Sequence, residues 1–462
     1  MSFGYHGKIL HVNLTDSSIF EERPPDAFYR KYLGGSAMGM YYILNDMSPG
    51  ADPLGPDNIL TLMLSVLTGA PISGQSRLTA NAKSPLVDGI GDSQSGGFFP
   101  AELKFAGYDG IVVKGQSEKP VYLWIKDGEA ELRNATHLWG KSTGDVNDIL
   151  ISELNDKKIE VMQCGPAGEK LSYLAAIINM ANRANGRTGL GAVMGSKRLK
   201  AVVVRGTSKK LPVASSKQLN KFARSGVTAF DDNASMVGLR KDGTAGVTSL
   251  QHADGGLPTY NFNSGQFAAM DSISGETMTD TILTGRETCY ACTVRCKRSV
   301  TTTYRDEQVD EKYGGPEYET LATFGSYCGV SDLSAVAMAN QICNEYGLDT
   351  IGTGATIAWA MECFEEGILS EKDVGFPIPM GDPEVMVKLT KLLASRIGFG
   401  DVIADGSRAA ANRLDRGHEY LITVKGAETP AHMPQVKRSL GLIYAVNPFG
   451  ADHNSSEHDP AV

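Results

Sequence analysis

Up to about residue 206, apolar residues alternate with polar ones or form short solid runs, the two signatures of half-buried and fully buried strands. Lys8-Ile-Leu-His-Val-Asn-Leu14 alternates and is followed by a turn at Asp16-Ser-Ser18. Val121-Tyr-Leu-Trp-Ile125 runs into Asp127-Gly128, a pair that favours a tight hairpin. Solid runs at Ile59 to Leu67, Gly110 to Val113 and Leu199 to Val204 predict further strands. Helical spacing is confined to one stretch from Asp26 into Tyr42 and another from Gly144 to Leu154.

The texture changes at Gly206-Thr-Ser-Lys-Lys-Leu-Pro212, a polar linker that closes on proline. Beyond it, apolar residues recur at offsets of three and four in Lys217 to Val227, Ser334 to Tyr346, Gly354 to Glu366, Pro383 to Ile397 and Val402 to Leu414. The pattern predicts an α+β chain with a β-rich domain over residues 1–206 and a mainly helical domain over 213–420. The final stretch, 421–462, is rich in Gly, Pro and polar residues and reads as the start of a third, truncated domain.

A length of 462 residues agrees with more than one domain. The net charge of -9 argues against a general nucleic-acid binder. No run of about 18 apolar residues predicts a membrane span, and no leader pattern opens the chain, so a cytoplasmic location is expected. Glycine is the outlier: 52 of 462 residues is roughly 11 per cent, against an average near 7. Doublets such as Gly34-Gly35, Gly96-Gly97 and Gly314-Gly315 mark places where backbone turns sharply or approaches a large bound group.

Three of the seven cysteines fall in Cys289-Tyr-Ala-Cys292-Thr-Val-Arg-Cys296. On a helix or tight turn that spacing lets three thiolates converge on one inorganic centre, first of all an iron–sulfur cluster. Arg286, Arg295, Lys297 and Arg298 crowd the same stretch and are expected to lower the thiol pKa values. Zinc stays open as an alternative, although no second cysteine pair is visible, and so do three buried, unliganded cysteines. An adenosyl-radical trio would carry its two gaps in the opposite order.

Several stretches together resemble the tungsten-dependent aldehyde:ferredoxin oxidoreductases. They are Tyr32-Leu-Gly-Gly35, Ser76-Arg77 with Ala82-Lys-Ser-Pro-Leu86, Ser95-Gly-Gly97 leading to Lys104-Phe-Ala-Gly-Tyr-Asp-Gly110, and Gly186-Arg-Thr-Gly-Leu-Gly-Ala-Val-Met-Gly-Ser-Lys197. Gly315-Pro-Glu-Tyr-Glu-Thr320 and Gly347-Leu-Asp349 complete the set, and the resemblance runs from Gly7 to at least His453.

The resemblance implies a tungsten bis-pterin cofactor (tungstopterin) seated on the first domain, beside a [4Fe–4S] cluster. Cys289, Cys292 and Cys296 match three cluster ligands, and the family's fourth lies in a C-terminal domain beyond Val462. Arg77 matches the arginine that bridges cluster and pterin. Gln94 and Ala184 match the backbone ligands of a Mg2+ ion between the pterin phosphates, with Ser95, Gly96, Arg183, Gly186 and Arg187 lining that cradle. Asn344-Glu-Tyr-Gly347-Leu348-Asp349 matches a pterin-binding motif that normally begins with aspartate, and Gly347 doubles as a helix cap.

Glu319 and His453 match the family's active-site pair. Glu319, set beside an apolar pocket, is expected to have a raised pKa and to take a proton as water attacks an aldehyde, while His453 bonds the substrate oxygen. Electrons then pass to ferredoxin, and a homodimer is the family's common state. Two other readings stand beside this one: a related tungsten enzyme subunit that acts on aromatic or thioester substrates in a larger complex, and an inactive fragment that binds cofactor without closing over it.

Overall fold

The computed structural model describes residues 3–87, 89–456 and 458–459. It divides into two compact units, the first made of 1–237 with 288–295 and 345–347, the second of 238–287, 296–344 and 348–462.

Two six-stranded sheets build the first unit. One has the order β2-β1-β6-β3-β4-β5 and uses β1 (Ile9–Asn13), β2 (Ser18–Glu22), β3 (Leu60–Leu64), β4 (Leu78–Lys83), β5 (Ile90–Ser95) and β6 (Gly110–Lys114). The other has the order β11-β10-β9-β12-β7-β8 and uses β7 (Val121–Lys126), β8 (Glu129–Asn134), β9 (Glu160–Cys164), β10 (Ile177–Asn179), β11 (Arg183–Asn185) and β12 (Leu199–Arg205). The hairpin expected at Asp127-Gly128 joins β7 to β8, with Lys126 opposite Glu129.

Strand alternation decides which core each residue enters. Leu60, Leu62 and Leu64 of β3 join a large cluster with Val202 and Val204 of β12, while Met63 turns to the other face. That outer face of the first sheet is covered by helix Gly35–Asp46 through Met38, Tyr42 and Ile43. Helix Thr143–Leu154 covers the second sheet through Val146 and Leu150, against Ala201 and Val203 of β12. Helices Phe99–Phe105 and Leu190–Ser196, which periodicity did not single out, fill the large cluster with Phe99, Leu103, Val193 and Met194.

The single helix expected from Asp26 into Tyr42 is two, Asp26–Tyr32 and Gly35–Asp46. Leu33 has φ 58° and Gly34 φ 142°, and a Cβ on Gly34 would lie 2.4 Å from the Leu64 carbonyl oxygen. Close approach to β3 forces the break, and only glycine permits it.

The second unit is mainly helical, with Leu333–Tyr346, Thr350–Glu365 and Pro383–Ser395 as its longest helices. Thr350–Glu365 is buried on nearly every face, which is why its sequence shows little polar stripe. Expected helix Val402 to Leu414 is two pieces, Phe399–Ile403 and Ser407–Leu414, separated by Gly406 at φ 92°. Tyr318–Leu321 is one α-helical turn that widens into a π turn over Ala322–Ser326. No helix among the described residues is long and apolar enough to cross a membrane.

One buried ion pair pins the start of the chain. Lys104 Nζ lies 2.6 Å from Asp109 Oδ1 with 0% and 1% of the side chains exposed, and Asp109 also accepts from the backbone N–H groups of His6, Gly7 and Lys8. Removing the lysine leaves a buried carboxylate facing backbone amides and the Tyr29 hydroxyl, with no counter-charge from Lys104. Lys104→Met should therefore destabilise the protein by about 3–5 kcal/mol in urea unfolding, and a loss under about 1 kcal/mol would refute the pairing as a structural anchor.

Candidate active site and cofactor cradle

The cysteine loop lies between two strands of the second unit, β13 (Leu283–Glu287) and β14 (Lys297–Val300), but residues 288–295 group with the first unit. Ala291 at φ 57° and Arg295 at φ 55° make it a sequence of turns and not a helix. Within the first unit the Gly97 N–H donates to Cys289 Sγ at 3.1 Å, and the Ser73 hydroxyl donates to Cys292 Sγ at 3.4 Å. A Cβ on Gly96 would lie 2.8 Å from Cys289 Sγ, so glycine is what lets the sulfur seat there. Cys296 belongs to the second unit.

The causes acting on Cys292 differ from those expected. Burial pushes its thiol up, but the Ser73 hydroxyl and the N–H groups of Val294, Gly74 and Arg295 outweigh it and leave the pKa lowered. Arg286 and Arg298 instead donate to the carbonyls of Arg240 and Lys241, and Lys297 pairs with Glu317 at 3.1 Å. The basic residues brace the strand pair. Sulfurs that accept hydrogen bonds from N–H and O–H donors suit thiolates of a metal cluster. Cys328 and Cys343 are fully buried with raised pKa values, and Cys363 is pushed up to about 12, so burial keeps these thiols protonated.

The predicted cradle residues meet at the edge of the two sheets. The Asn179 amide donates to the Ser95 hydroxyl at 3.2 Å and the Asn185 amide to the Ser93 carbonyl at 2.6 Å, bringing the β10–β11 hairpin against the end of β5. Gln94, exposed, lies between those anchors, and Ala184 pairs with Ile178 across the hairpin. Arg183 and Arg187 are each 8% exposed, and Arg183 reaches Asn182 and, at 3.5 Å, the Thr288 carbonyl next to Cys289. Gly97 would, with a Cβ, meet Asn179 Oδ1 at 2.5 Å. Gly186 is half-buried, and Arg77 is exposed at the end of the loop that leads into β4. Two buried guanidinium groups and glycines that leave no side chain in the way fit a large phosphate-bearing group, while the carboxamide oxygens of Asn179 and Asn185, which accept no hydrogen bond among the described residues, suit a cation or an N–H donor of that group.

The residues of the Asn344 to Asp349 motif are occupied structurally. The Asn344 amide donates to the Tyr313 carbonyl at 3.0 Å in the second unit. Gly347, at φ 73°, ends helix Leu333–Tyr346, and in the first unit its carbonyl accepts from Ala176 N–H at 2.8 Å. The Leu348 N–H returns to the Cys343 carbonyl, and the Asp349 carboxylate caps helix Thr350–Glu365 by accepting from Ile351 and Gly352. Asp349 thus acts as a helix N-cap.

In the second unit the fold brings Glu319 and His453 together. His453 Nε2 is 3.6 Å from Glu319 Oε1, and His432 Nε2 is 3.3 Å from the same oxygen. The Ala431 N–H donates to Oε2 at 2.8 Å. Glu319 is 8% exposed. Burial alone would raise its pKa, as expected from an apolar setting, but His453, the hydrogen bond and charge of His432, and the Ala431 N–H outweigh burial and hold it down to about 2. The expected raised pKa is therefore corrected: Glu319 is an ionised acceptor at neutral pH. Sequence reading missed His432, whose only signal is a histidine between Pro430 and Pro434 in an otherwise apolar stretch.

Residues 9–206 match the N-terminal domain of aldehyde ferredoxin oxidoreductase, and residues 221–461 match its domains 2 and 3. A tungsten-containing aldehyde ferredoxin oxidoreductase of Pyrococcus abyssi is 40% identical over 98% of this chain and 74% of its own length. The WOR-like subunit of an aliphatic sulfonate oxidoreductase of Pyrococcus furiosus is 29% identical over 99% of this chain and 76% of its own. Among solved structures, the active-site complex BamBC of benzoyl coenzyme A reductase superposes with a TM-score of 0.83 at 27% identity, covering 97% of this chain and 69% of that one. With both family domains matched and this identity along the chain, the protein is a member of the tungsten-containing aldehyde ferredoxin oxidoreductase family, an oxidoreductase of the tungstopterin and iron–sulfur type.

Proposed function

We propose that this chain oxidises an aldehyde to a carboxylic acid and passes the two electrons, through a [4Fe–4S] cluster, to ferredoxin or a ferredoxin-like acceptor. The observation that carries the reading is the buried Glu319 carboxylate with His453 and His432 on one oxygen, in a chain of this family. The overall change is aldehyde plus water to acid, two electrons and two protons. The tungsten–pterin centre, when bound, takes up the electron pair.

The chain's residues supply the proton handling and the binding. Glu319, ionised, accepts a proton from the water that adds to the carbonyl carbon, and His453 donates to the substrate oxygen as negative charge develops there. Arg183, Arg187, Ser95, Gly96 and Gly186 would hold the pterin phosphates, with a Mg2+ ion on the carbonyls of Gln94 and Ala184. Arg77 would lie between pterin and cluster, with Asn344, Gly347, Leu348 and Asp349 contributing backbone and polar contacts to the pterin. Cys289, Cys292 and Cys296 would ligate the cluster. The division into domains at 1–206, 213–420 and 421–462, and a homodimeric assembly, belong to the same reading.

A second reading, an aromatic or thioester substrate handled in a larger complex, draws on the likeness to the benzoyl coenzyme A reductase complex. Its 27% identity is lower than the 40% shared with the aldehyde enzyme, which favours the aldehyde.

Anaerobically purified protein should contain tungsten and iron and reduce a ferredoxin or low-potential dye only when an aldehyde is added. Absence of both metals, or no aldehyde-dependent reduction across aliphatic and aromatic aldehydes, would sink the proposal. Glu319→Gln should lower kcat/KM by about 100-fold or more at unchanged tungsten content, the ordinary cost of a lost general base. Ser73→Ala removes a donor that lowers the Cys292 thiol pKa, so alkylation of that thiol in metal-free protein at pH 7 should slow by up to about tenfold. An unchanged rate would show that Ser73 does not tune the sulfur.

A further inference from the structure

His432 is held with more care than a bystander needs. The Tyr318 hydroxyl donates to the Ala431 carbonyl, the Ala431 N–H donates to Glu319 Oε2, and the Tyr444 hydroxyl donates to the His432 carbonyl at 3.3 Å. Side chains from helix turn Tyr318–Leu321 and from helix Arg438–Val446 thus fix the backbone on both sides of one peptide. The imidazole, 4% exposed, is aimed with Nε2 at Glu319 Oε1. Its other nitrogen, Nδ1, faces the Gln251 side-chain nitrogen at 3.4 Å, and Gln251, on helix Val247–Ala253, is itself 4% exposed.

Elementary hydrogen-bond rules assign the protons. The 3.3 Å contact is electrostatic, since Glu319 Oε1 has no geometrically formed hydrogen bond among the described residues, and because an ionised carboxylate oxygen only accepts, it favours the ring form with hydrogen on Nε2. In the neutral ring Nδ1 is then an acceptor, and the Gln251 amide N–H satisfies it. If the ring gains a proton at Nδ1, a half-turn of the amide presents Gln251 Oε1, which accepts no hydrogen bond among the described residues. Gln251 can therefore serve either state of the ring without moving its backbone. One ligand atom each from Glu319, His432 and His453 lies within 4.8 Å of the others, a spacing that would also admit a cation. A cation there would compete with the Nε2 proton for the same lone pair.

We propose that Gln251, His432 and Glu319 form a relay of orientation, in which His432 is the positioning residue that fixes the Glu319 carboxylate and leaves the remaining face of Oε1 to His453 and the substrate. Its role in turnover rests on the aldehyde-oxidising reading above; its hold on the carboxylate does not. Among the described residues, the titratable groups facing Glu319 are His432, His453 and Tyr318, and those facing His432 are Glu319, Tyr318, His453, His458, with ring centroids 4.5 Å apart, and Tyr444. Burial and the Glu319 charge keep the Tyr318 phenol protonated.

The test is an infrared pH titration of the Glu319 carboxyl in the full chain, assigned by its loss in Glu319→Gln, together with steady-state kinetics of the holoenzyme. His432→Phe should move the carboxyl midpoint up by about one pH unit or more, as expected when an opposite charge and a donor are removed. It should lower kcat by about 10- to 100-fold with KM changed less than about threefold, and bring an acid limb into the pH profile. His432→Gln, which keeps an N–H donor, should recover most of both. Gln251→Leu should shift the midpoint the same way by a smaller amount, and it carries the test if His432→Phe does not fold. An unmoved midpoint in whichever of these two variants folds, equal damage in His432→Gln and His432→Phe, or tight zinc binding to the metal-free chain that depends on His432 would overturn the proposal. A wild-type chain that oxidises no aldehyde removes the functional reading while the titration still decides the role of His432.

Discussion

A carboxylate withdrawn from water has to be met by protein donors, and in the second unit this requirement falls on Glu319. Burying the ion without partners costs several kcal/mol, while each hydrogen bond to a charged group returns about 1.5–3. The Ala431 N–H donates to it, and His432 and His453 stand close to its other oxygen, all more than a hundred residues further along. The carboxylate therefore ties the turn at Tyr318–Leu321 to the segment that follows β-rich and helical parts alike, and that segment must be in place before Glu319 can be ionised where it is.

Similar logic runs through the first unit with the signs reversed. Lys104, Lys197 and Lys200 are all fully buried. Lys104 meets Asp109, Lys200 meets Glu169, and Lys197 is held by the carbonyls of Pro56, Asn58 and Gly115 with the charge of Asp57 nearby. Burial pulls Lys197 down to about 8 and outweighs the Asp57 charge, which acts the other way. These ammonium groups gather loops at the ends of strands: Lys104 at the end of the first sheet that carries Ser95, and Lys197 at the opposite end, between Asn58 before β3 and Gly115 after β6.

What was legible in the sequence follows from the range of the forces involved. The β7–β8 hairpin and helices such as Thr143–Leu154 and Pro383–Ser395 are local patterns, and alternation or helical spacing declared them. The break at Leu33-Gly34 was not legible, because the Leu64 backbone that forces it is about thirty residues away. Placing Glu319 near His453 followed from family resemblance; the sign of its pKa did not, because an apolar neighbourhood predicts the opposite of what His432, His453 and one backbone N–H produce. Likewise the charge effect expected of the arginines reaches Cys296 from Arg298, whereas at Cys292 the donor is Ser73, 219 positions earlier.

The widened turn at Ala322–Ser326 has a consequence for how this chain can change. Tyr327 N–H bonds to the Ala322 carbonyl five residues back, and Gly354 of the facing helix makes room for Thr323, whose atoms a Cβ there would meet at 2.7 Å. The helix thus carries one residue beyond the α-helical register, and each residue of an α-helix accounts for about 100° of rotation. Losing any one residue of that turn would swing Glu319 about a quarter-turn relative to the helical face packed behind it, with every catalytic side chain still present in the sequence. Orientation at this site is thereby set by chain length, and a relative one residue shorter there would keep the motif while facing its carboxylate elsewhere.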